Sequence, residues 1–235
     1  MSKCKLFSMI DKAIFEYKLI EEGDKILVGA SGGKDSTALI EYFAYRKKQN
    51  RDNFEFKALH IGTEISSPIS PDLLKMFESW NVDLEIIDVD VLGRLKENKK
   101  MNCWWCSTQR RTELNNYAIE NGYNKIALGH HLDDILETLL MNALNKGEFS
   151  TMIPRLKYEK YPVTIIRPLC FADVDSIIEH AKNRNYISQT CTCNYQENSG
   201  RKKARSRLEQ LTGGNALEKR RLFEALRNIK PEYLP

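Results

Sequence analysis

Two groups of residues in this chain have types and spacing that could do chemistry. The first is Ala30-Ser31-Gly32-Gly33-Lys34-Asp35-Ser36. Adjacent glycines let a backbone curl closely around an anion, and the N–H groups of the turn and of a following helix then face phosphate oxygens. Lys34 adds a point charge, and Ser31 and Ser36 add hydroxyl donors. No G-x-x-x-x-G-K-[ST] pattern can be laid on these residues, so this is not the common nucleotide-binding P-loop. The bland alternative is a Gly-rich strand-to-helix turn without a ligand. The second group is Cys103-Trp104-Trp105-Cys106, joined far along the chain by Cys191-Thr192-Cys193. C-x-x-C spacing lets two thiolates reach one metal. Spacing alone leaves three readings open: a zinc site using Cys103, Cys106, Cys191 and Cys193; a dithiol redox pair; or an iron–sulfur cluster on three thiolates with one iron open. Cys4 and Cys170 have no partner in motif spacing, and Cys170 reads as a small buried hydrophobe.

The elements that position these groups alternate. Apolar runs at 25–30, 54–61, 82–89, 124–129 and 163–167 read as five strands. Helical patterns at about 6–19, 35–48, 71–80, 107–121 and 132–145 lie before and between them. This predicts an α/β fold, a doubly wound parallel five-stranded sheet whose ligands bind beyond the carboxyl ends of the strands. The Ser31–Ser36 turn falls at that edge. So does Gly129-His130-His131-Leu132-Asp133-Asp134, which follows the fourth strand. Asp133 and Asp134 fall in the first turn of a helix, where negative charge suits the dipole, and two carboxylates beside a triphosphate can hold Mg²⁺ through water. Taken alone, Asp133 is as readily a helix cap and His130 a core residue. Helices at about 173–184, 199–211 and 215–228 follow. We divide the chain into an ATP-binding domain at 1–185 and a cysteine loop with basic helices at 186–235. Leu208, Leu211, Leu217, Leu222, Phe223 and Leu226 give the basic tail an apolar stripe, which predicts that it packs on the domain.

Charge narrows the partners. The net charge is +4, yet residues 201–230 carry ten Lys or Arg against three Glu, so the remainder sums to −3. A basic patch on a mildly acidic body points to nucleic acid. Arg201, Lys202, Lys203, Arg205 and Arg207 are its densest part and the expected phosphate contacts. The same pattern is compatible with a solvated helix face. Arg110 and Arg111 could approach ATP or RNA phosphates, and Trp104 and Trp105 could stack on an unpaired base or shield a cluster from water. No run of residues is apolar and long enough to span a bilayer, and the N-terminus does not read as a secretory signal, so we expect a cytoplasmic protein. Six cysteines in such a chain point to metal or redox chemistry rather than disulfides.

The motifs occur in one order: Ser31–Ser36, Cys103-Trp-Trp-Cys106-Ser-Thr-Gln-Arg110-Arg111, Lys125 to Asp134, Ile165-Ile-Arg-Pro-Leu169 and Cys191-Thr-Cys193-Asn-Tyr-Gln196. The first resembles the pyrophosphatase loop (PP-loop) of adenylating enzymes. The whole set resembles the TtcA family of tRNA 2-thiocytidine synthetases. That resemblance implies ATP split into AMP and pyrophosphate with Mg²⁺, adenylation of cytidine O2 at position 32 of the tRNA anticodon loop, and sulfur insertion at C2. It implies a [4Fe–4S] cluster on Cys103, Cys106 and Cys191, with Cys193 as the alternative third ligand, since the family's C-x-x-C is C-x-C here. It places His60 and Gly129 near the adenosine, Asp134 with the nucleotide site, and Asp133, Arg111 and Lys34 as the catalytic candidates. Partners would be tRNA and a sulfur donor such as a cysteine desulfurase or sulfide, and a homodimer is compatible with this. The rivals are a 2-thiouridine enzyme, a lysidine-synthetase-like ligase, and a non-catalytic zinc-containing RNA-binding module.

Overall fold

In a computed structural model of the chain, the described residues are 4–97, 100–159, 161–186 and 200–233. Cys191 and Cys193 lie outside them. The order is α1 (Lys5–Tyr17), β1 (Lys25–Gly29), α2 (Lys34–Lys48), β2 (Glu55–Thr63), α3 (Pro71–Ser79), β3 (Leu84–Val89), α4 (Cys103–Glu120), β4 (Lys125–Ala127) and α5 (Leu132–Lys146). Then follow β5 (Arg155–Lys157), β6 (Thr164–Ile166), α6 (Val174–Asn183), α7 (Gly200–Thr212) and α8 (Ala216–Ala225).

The sheet runs β3-β2-β1-β4-β6-β5. The pairs among β1, β2, β3, β4 and β6 are parallel. The sheet therefore has six strands rather than the expected five. The extra one, β5, pairs antiparallel with β6, Leu156 opposite Ile165. It escapes notice in the sequence because it is a three-residue edge strand, Arg-Leu-Lys, and charged edges are how sheets avoid further pairing.

Successive strand residues point to opposite faces, and the core divides accordingly. Ile26, Val28, Ala127 and Ile166 face one cluster, filled by Ile10 of α1, Phe43 of α2, Ile135 of α5 and Ile177 of α6. Leu27, Leu59, Ile126 and Ile165 face the other, covered by Leu114 and Ala118 of α4. Both faces are thus clothed in helices, and the strand order reverses direction between β1 and β4. In open α/β sheets that switch point forms a crevice at the carboxyl ends of the strands. The Ser31 turn leaves β1 there, and the Gly129 turn leaves β4 beside it.

The basic tail does pack on this body. Leu208 and Phe223 join the first core cluster, with Leu222 and Leu226 partly buried against it, whereas Leu211 and Leu217 are exposed. Among the described residues no helix is long and apolar enough to cross a membrane.

Candidate active site

The turn after β1 is built by its own hydroxyls. The backbone N–H of Ser31 donates to Ser36 Oγ at 3.1 Å, and Ser36 Oγ donates to the Gly33 carbonyl at 3.0 Å. Gly33 N–H donates to Ser31 Oγ at 3.3 Å. Gly32 sits at φ +79°, a conformation that side-chain-bearing residues rarely adopt. Gly33 occupies the N-cap of α2 and no side chain caps this helix. The first N–H groups of a 15-residue helix are therefore left for an anion. Gly129 is needed for a different reason. A Cβ there would meet Ser36 N at 3.0 Å and the Asp35 carbonyl carbon at 3.1 Å, so the turn after β4 lies directly against the start of α2.

Between these turns and α4 lies a cavity of about 350 Å³. Its lining includes Ala30, Ser31, Asp35, Ser36, Gly129, His130 and Asp134, with Leu59, Ile61, Leu114 and Leu128 as apolar walls. Such a mixture of convergent polar groups and apolar walls suits a nucleotide. His130 Nδ1 is buried without a hydrogen-bond partner and lines this space. Burial pushes the His130 pKa down; Asp134 opposes this, while Arg167, Arg201 and Arg111 reinforce it. The ring is thus neutral at ordinary pH and free to accept or donate one hydrogen bond.

Other expected residues stand elsewhere. His60 is fully buried in β2 and does not line the cavity; its Nδ1–H donates to the Ala30 carbonyl at 2.7 Å and so braces the root of the turn. Lys34, at the first position of α2, pairs with Asp35 at 3.0 Å. Asp133 was expected near a metal, but it is turned away from the cavity. Its carboxylate accepts from Val174 N–H at 2.8 Å and pairs with Lys219 of α8 at 2.7 Å. Asp134, its neighbour, is the one that reaches the cavity. Asp134 Oδ2 accepts from His131 N–H at 3.2 Å, and Oδ1 pairs with Arg201 at 2.8 Å. Burial works to raise the Asp134 pKa, but His131, Arg201 and the hydrogen bond from His131 N–H outweigh it and lower it.

α4 begins at Cys103, four residues before the helical pattern suggested, because Asn102 caps it by accepting from Trp105 N–H at 2.9 Å. Ser107, Arg110, Arg111 and Leu114 of this helix line the cavity. Their spacing of three and four is one helical stripe. Cys103 and Cys106 continue it by one turn, about 5 Å further along the axis. Both thiols lie in the first turn of the helix. Two half-buried thiols on one turn fit a soft metal or an iron–sulfur cluster that takes further ligands from elsewhere. Among the described residues no three Cys, His, Asp or Glu converge; Cys191 and Cys193, the further ligands expected, lie outside the described residues. Cys170 is fully buried, and burial pushes its thiol up to about 12, which leaves it inert.

The expected phosphate-binding cations divide. Arg201 and Arg205 reach acids on α5, Arg205 Nε meeting Glu137 Oε1 at 2.8 Å while the rest of its side chain stays exposed. Lys202, Lys203 and Arg207 are exposed. Sequence reasoning assigned no role to Arg167 or Ser107. Arg167 is buried beyond the end of β6, donating to the Ile153 carbonyl at 2.6 Å, with its Nε unpartnered. The Ile165-Ile-Arg-Pro-Leu169 motif was the available signal, but a cation in an apolar run does not announce what it faces.

The comparisons with known proteins agree with this geometry. The PP-loop domain family matches residues 5–211. The tRNA-cytidine(32) 2-sulfurtransferase of Legionella pneumophila (strain Paris) is 34% identical over 234 residues, covering 98% of this chain and 83% of its own. That of Geotalea uraniireducens is 30% identical over 235 residues, covering 98% and 93%. Among solved structures, the U34-tRNA thiolase NcsA from Methanococcus maripaludis with its [4Fe-4S] cluster superposes with TM-score 0.73 at 26% identity, over 95% of this chain and 79% of that one. An NH3-dependent NAD synthetase from Campylobacter jejuni shares the fold, with TM-score 0.53 at 16% identity over 97% and 88%. A phosphate-cradling turn, a cysteine pair on the helix that walls the same cavity, and likeness over nearly the whole length lead to one assignment: the chain belongs to the PP-loop family, and within it to the tRNA-cytidine(32) 2-sulfurtransferases.

Proposed function

We propose that this protein is an ATP-dependent tRNA sulfurtransferase that converts cytidine 32 of the anticodon loop to 2-thiocytidine. The observation that carries this reading is the single stripe of α4, which presents Cys103 and Cys106 one turn from residues lining the nucleotide cavity. Adenylation at O2 and sulfur addition at C2 act on the two atoms of one carbonyl in succession, so the ATP and sulfur sites have to adjoin.

ATP phosphates sit on the Ser31–Ser36 turn and the start of α2, with Lys34 and Mg²⁺ countering charge on the departing pyrophosphate. Asp134, with Asp35 one of two carboxylates lining the cavity, would hold the Mg²⁺ water shell. Cytidine O2 attacks the α phosphorus, pyrophosphate leaves, and the O2–AMP ester makes C2 electrophilic. Sulfide (HS⁻) then adds at C2 and loses its proton, and AMP departs with the former O2; sulfur delivered as a persulfide reaches the sulfide level by taking two electrons from a thiol reductant. Arg111, exposed at the cavity rim, stabilises the charge on that phosphate. A [4Fe–4S] cluster held by Cys103, Cys106 and a third thiolate, Cys191 or Cys193, would supply the place where incoming sulfur is bound. The sulfur comes from a donor such as a cysteine desulfurase or sulfide, and the site of action is the cytoplasm, where the tRNA is.

The test is anaerobic turnover with nucleoside mass spectrometry. We expect 2-thiocytidine, AMP and pyrophosphate, and loss of iron in Cys103→Ala and Cys106→Ala but not Cys170→Ala. ADP as product, or zinc without iron in anaerobic protein, overturns the mechanism. Formation of 2-thiouridine instead moves the substrate to the chemistry named for the NcsA structure.

A further inference from the structure

The two tryptophans between the cysteines have separate environments. Trp105 is half-buried against the α4-side core, and its indole N–H donates to the Val91 carbonyl at 3.1 Å. It anchors the first turn of α4. Trp104, by contrast, is 72% exposed, although it is among the largest apolar side chains in the protein. It is not needed to hold the first turn, which Asn102 and Trp105 already hold. Its position is informative. Ser107 and Arg111, three and seven residues on, line the nucleotide cavity. A rise of about 1.5 Å per residue puts Trp104 roughly 10 Å along the helix from Arg111, on the same side and at the cysteine end.

The proposed chemistry makes a particular demand on substrate binding. O2 and C2 of the pyrimidine must face ATP and then sulfur, so the grip on the base has to leave that edge open. A flat aromatic face does this, because it holds the π-surface of a base and leaves its edges untouched. We propose that Trp104 is the stacking platform for the target cytosine, positioning the unpaired base between the nucleotide cavity and the Cys103–Cys106 turn. This rests on the tRNA-cytidine reading above.

The experiment uses the anaerobic holoenzyme and two labelled anticodon stem-loops, one with cytidine at position 32 and one with an abasic site there. Affinity is read by anisotropy, and indole quenching is read with unlabelled copies of the same RNAs. We expect Trp104→Ala to bind the cytidine loop about tenfold more weakly or worse, from the usual strength of base–aromatic stacking. The abasic loop should bind wild type and Trp104→Ala alike. Trp104→Phe should recover most of the affinity, and iron content should not change in either variant. Quenching of wild-type fluorescence should be larger with the cytidine loop than with the abasic loop. Equal losses on both RNAs, no loss on either, or loss of iron in Trp104→Ala overturns the stacking role while leaving the sulfurtransferase reading in place. A wild-type enzyme that leaves cytidine unmodified and thiolates a uridine overturns the substrate reading, and with it the named base.

Discussion

Lys219→Met should separate the roles of two adjacent aspartates. Lys219 Nζ lies 2.7 Å from Asp133 Oδ1, and the two side chains are 4% and 7% exposed. Burial alone would lower the Lys219 pKa, but its hydrogen bond to Asp133 and their attraction win and raise it, so the lysine is charged in the folded protein. Methionine preserves the stem and removes the charge. Asp133 then keeps the Val174 N–H, at 2.8 Å, as its hydrogen bond, with the His131 ring 3.8 Å away, and loses its nearest cation. Stranding one half of a buried pair costs about 3–5 kcal/mol. For a chain of this size each kcal/mol moves the melting temperature by roughly 2–4 °C, so a fall of about 6–20 °C is expected. The assay is thermal denaturation by circular dichroism, with ATP consumption measured well below the transition. Lys219→Met should retain turnover in its folded fraction, and Asp133→Asn/Lys219→Met should regain part of the lost stability because no charge is stranded. Asp134→Asn should instead abolish turnover. A Lys219→Met protein that melts like wild type, beside an Asp133→Asn protein that folds normally but is dead, would show that Asp133 works in the cavity and that this geometric argument is wrong.

Gly129→Ala should raise the KM for ATP more than it lowers stability, because its Cβ presses on backbone at Ser36 and Asp35, 3.0 and 3.1 Å away, where the phosphate-binding helix begins; an unaltered KM counts against the turn as the phosphate site. Removing Lys202, Lys203 and Arg207 together should flatten the salt dependence of tRNA binding by about 0.7–0.9 in log–log slope per lost contact. Removing Arg201 and Arg205, already paired with Asp134 and Glu137, should change that slope less; the opposite order would place the RNA on the α5 side. His130 has a folded pKa below its ordinary value of 6.5, so the unfolded chain binds the extra proton first and stability falls as pH drops below about 6.5. Urea midpoints across that range should therefore fall less in His130→Gln than in wild type, and parallel curves would refute the assignment.

What the sequence determined by itself was local. A turn carrying Gly32 and Gly33 between an apolar strand and a helix has one workable conformation, and Ser31 and Ser36 stitch it with bonds spanning five residues. The C-x-x-C spacing likewise brings two thiols within reach of one metal, although the helical pattern begins only at 107 and it is the Asn102 cap that puts both on the first turn of α4. Strands at 25–30 and 163–167 were legible because their residues are apolar enough to be buried on both faces, whereas Arg155–Lys157 becomes a strand only because β6 offers it an open edge. Long-range packing decided the remainder. Asp133 and Asp134 are chemically identical neighbours, but adjacent residues on a helix point about 100° apart. Which of them lines the cavity depends on the roll of α5, against which Lys219 and Val174, 86 and 41 residues away in the chain, hold Asp133. Arg201 and Arg205 look in sequence like a free basic face, yet two acids on α5 claim them. Trp104 and Trp105 are again identical in type and adjacent, and only the Val91 carbonyl, which receives one indole and not the other, makes Trp105 an anchor and leaves Trp104 in the open.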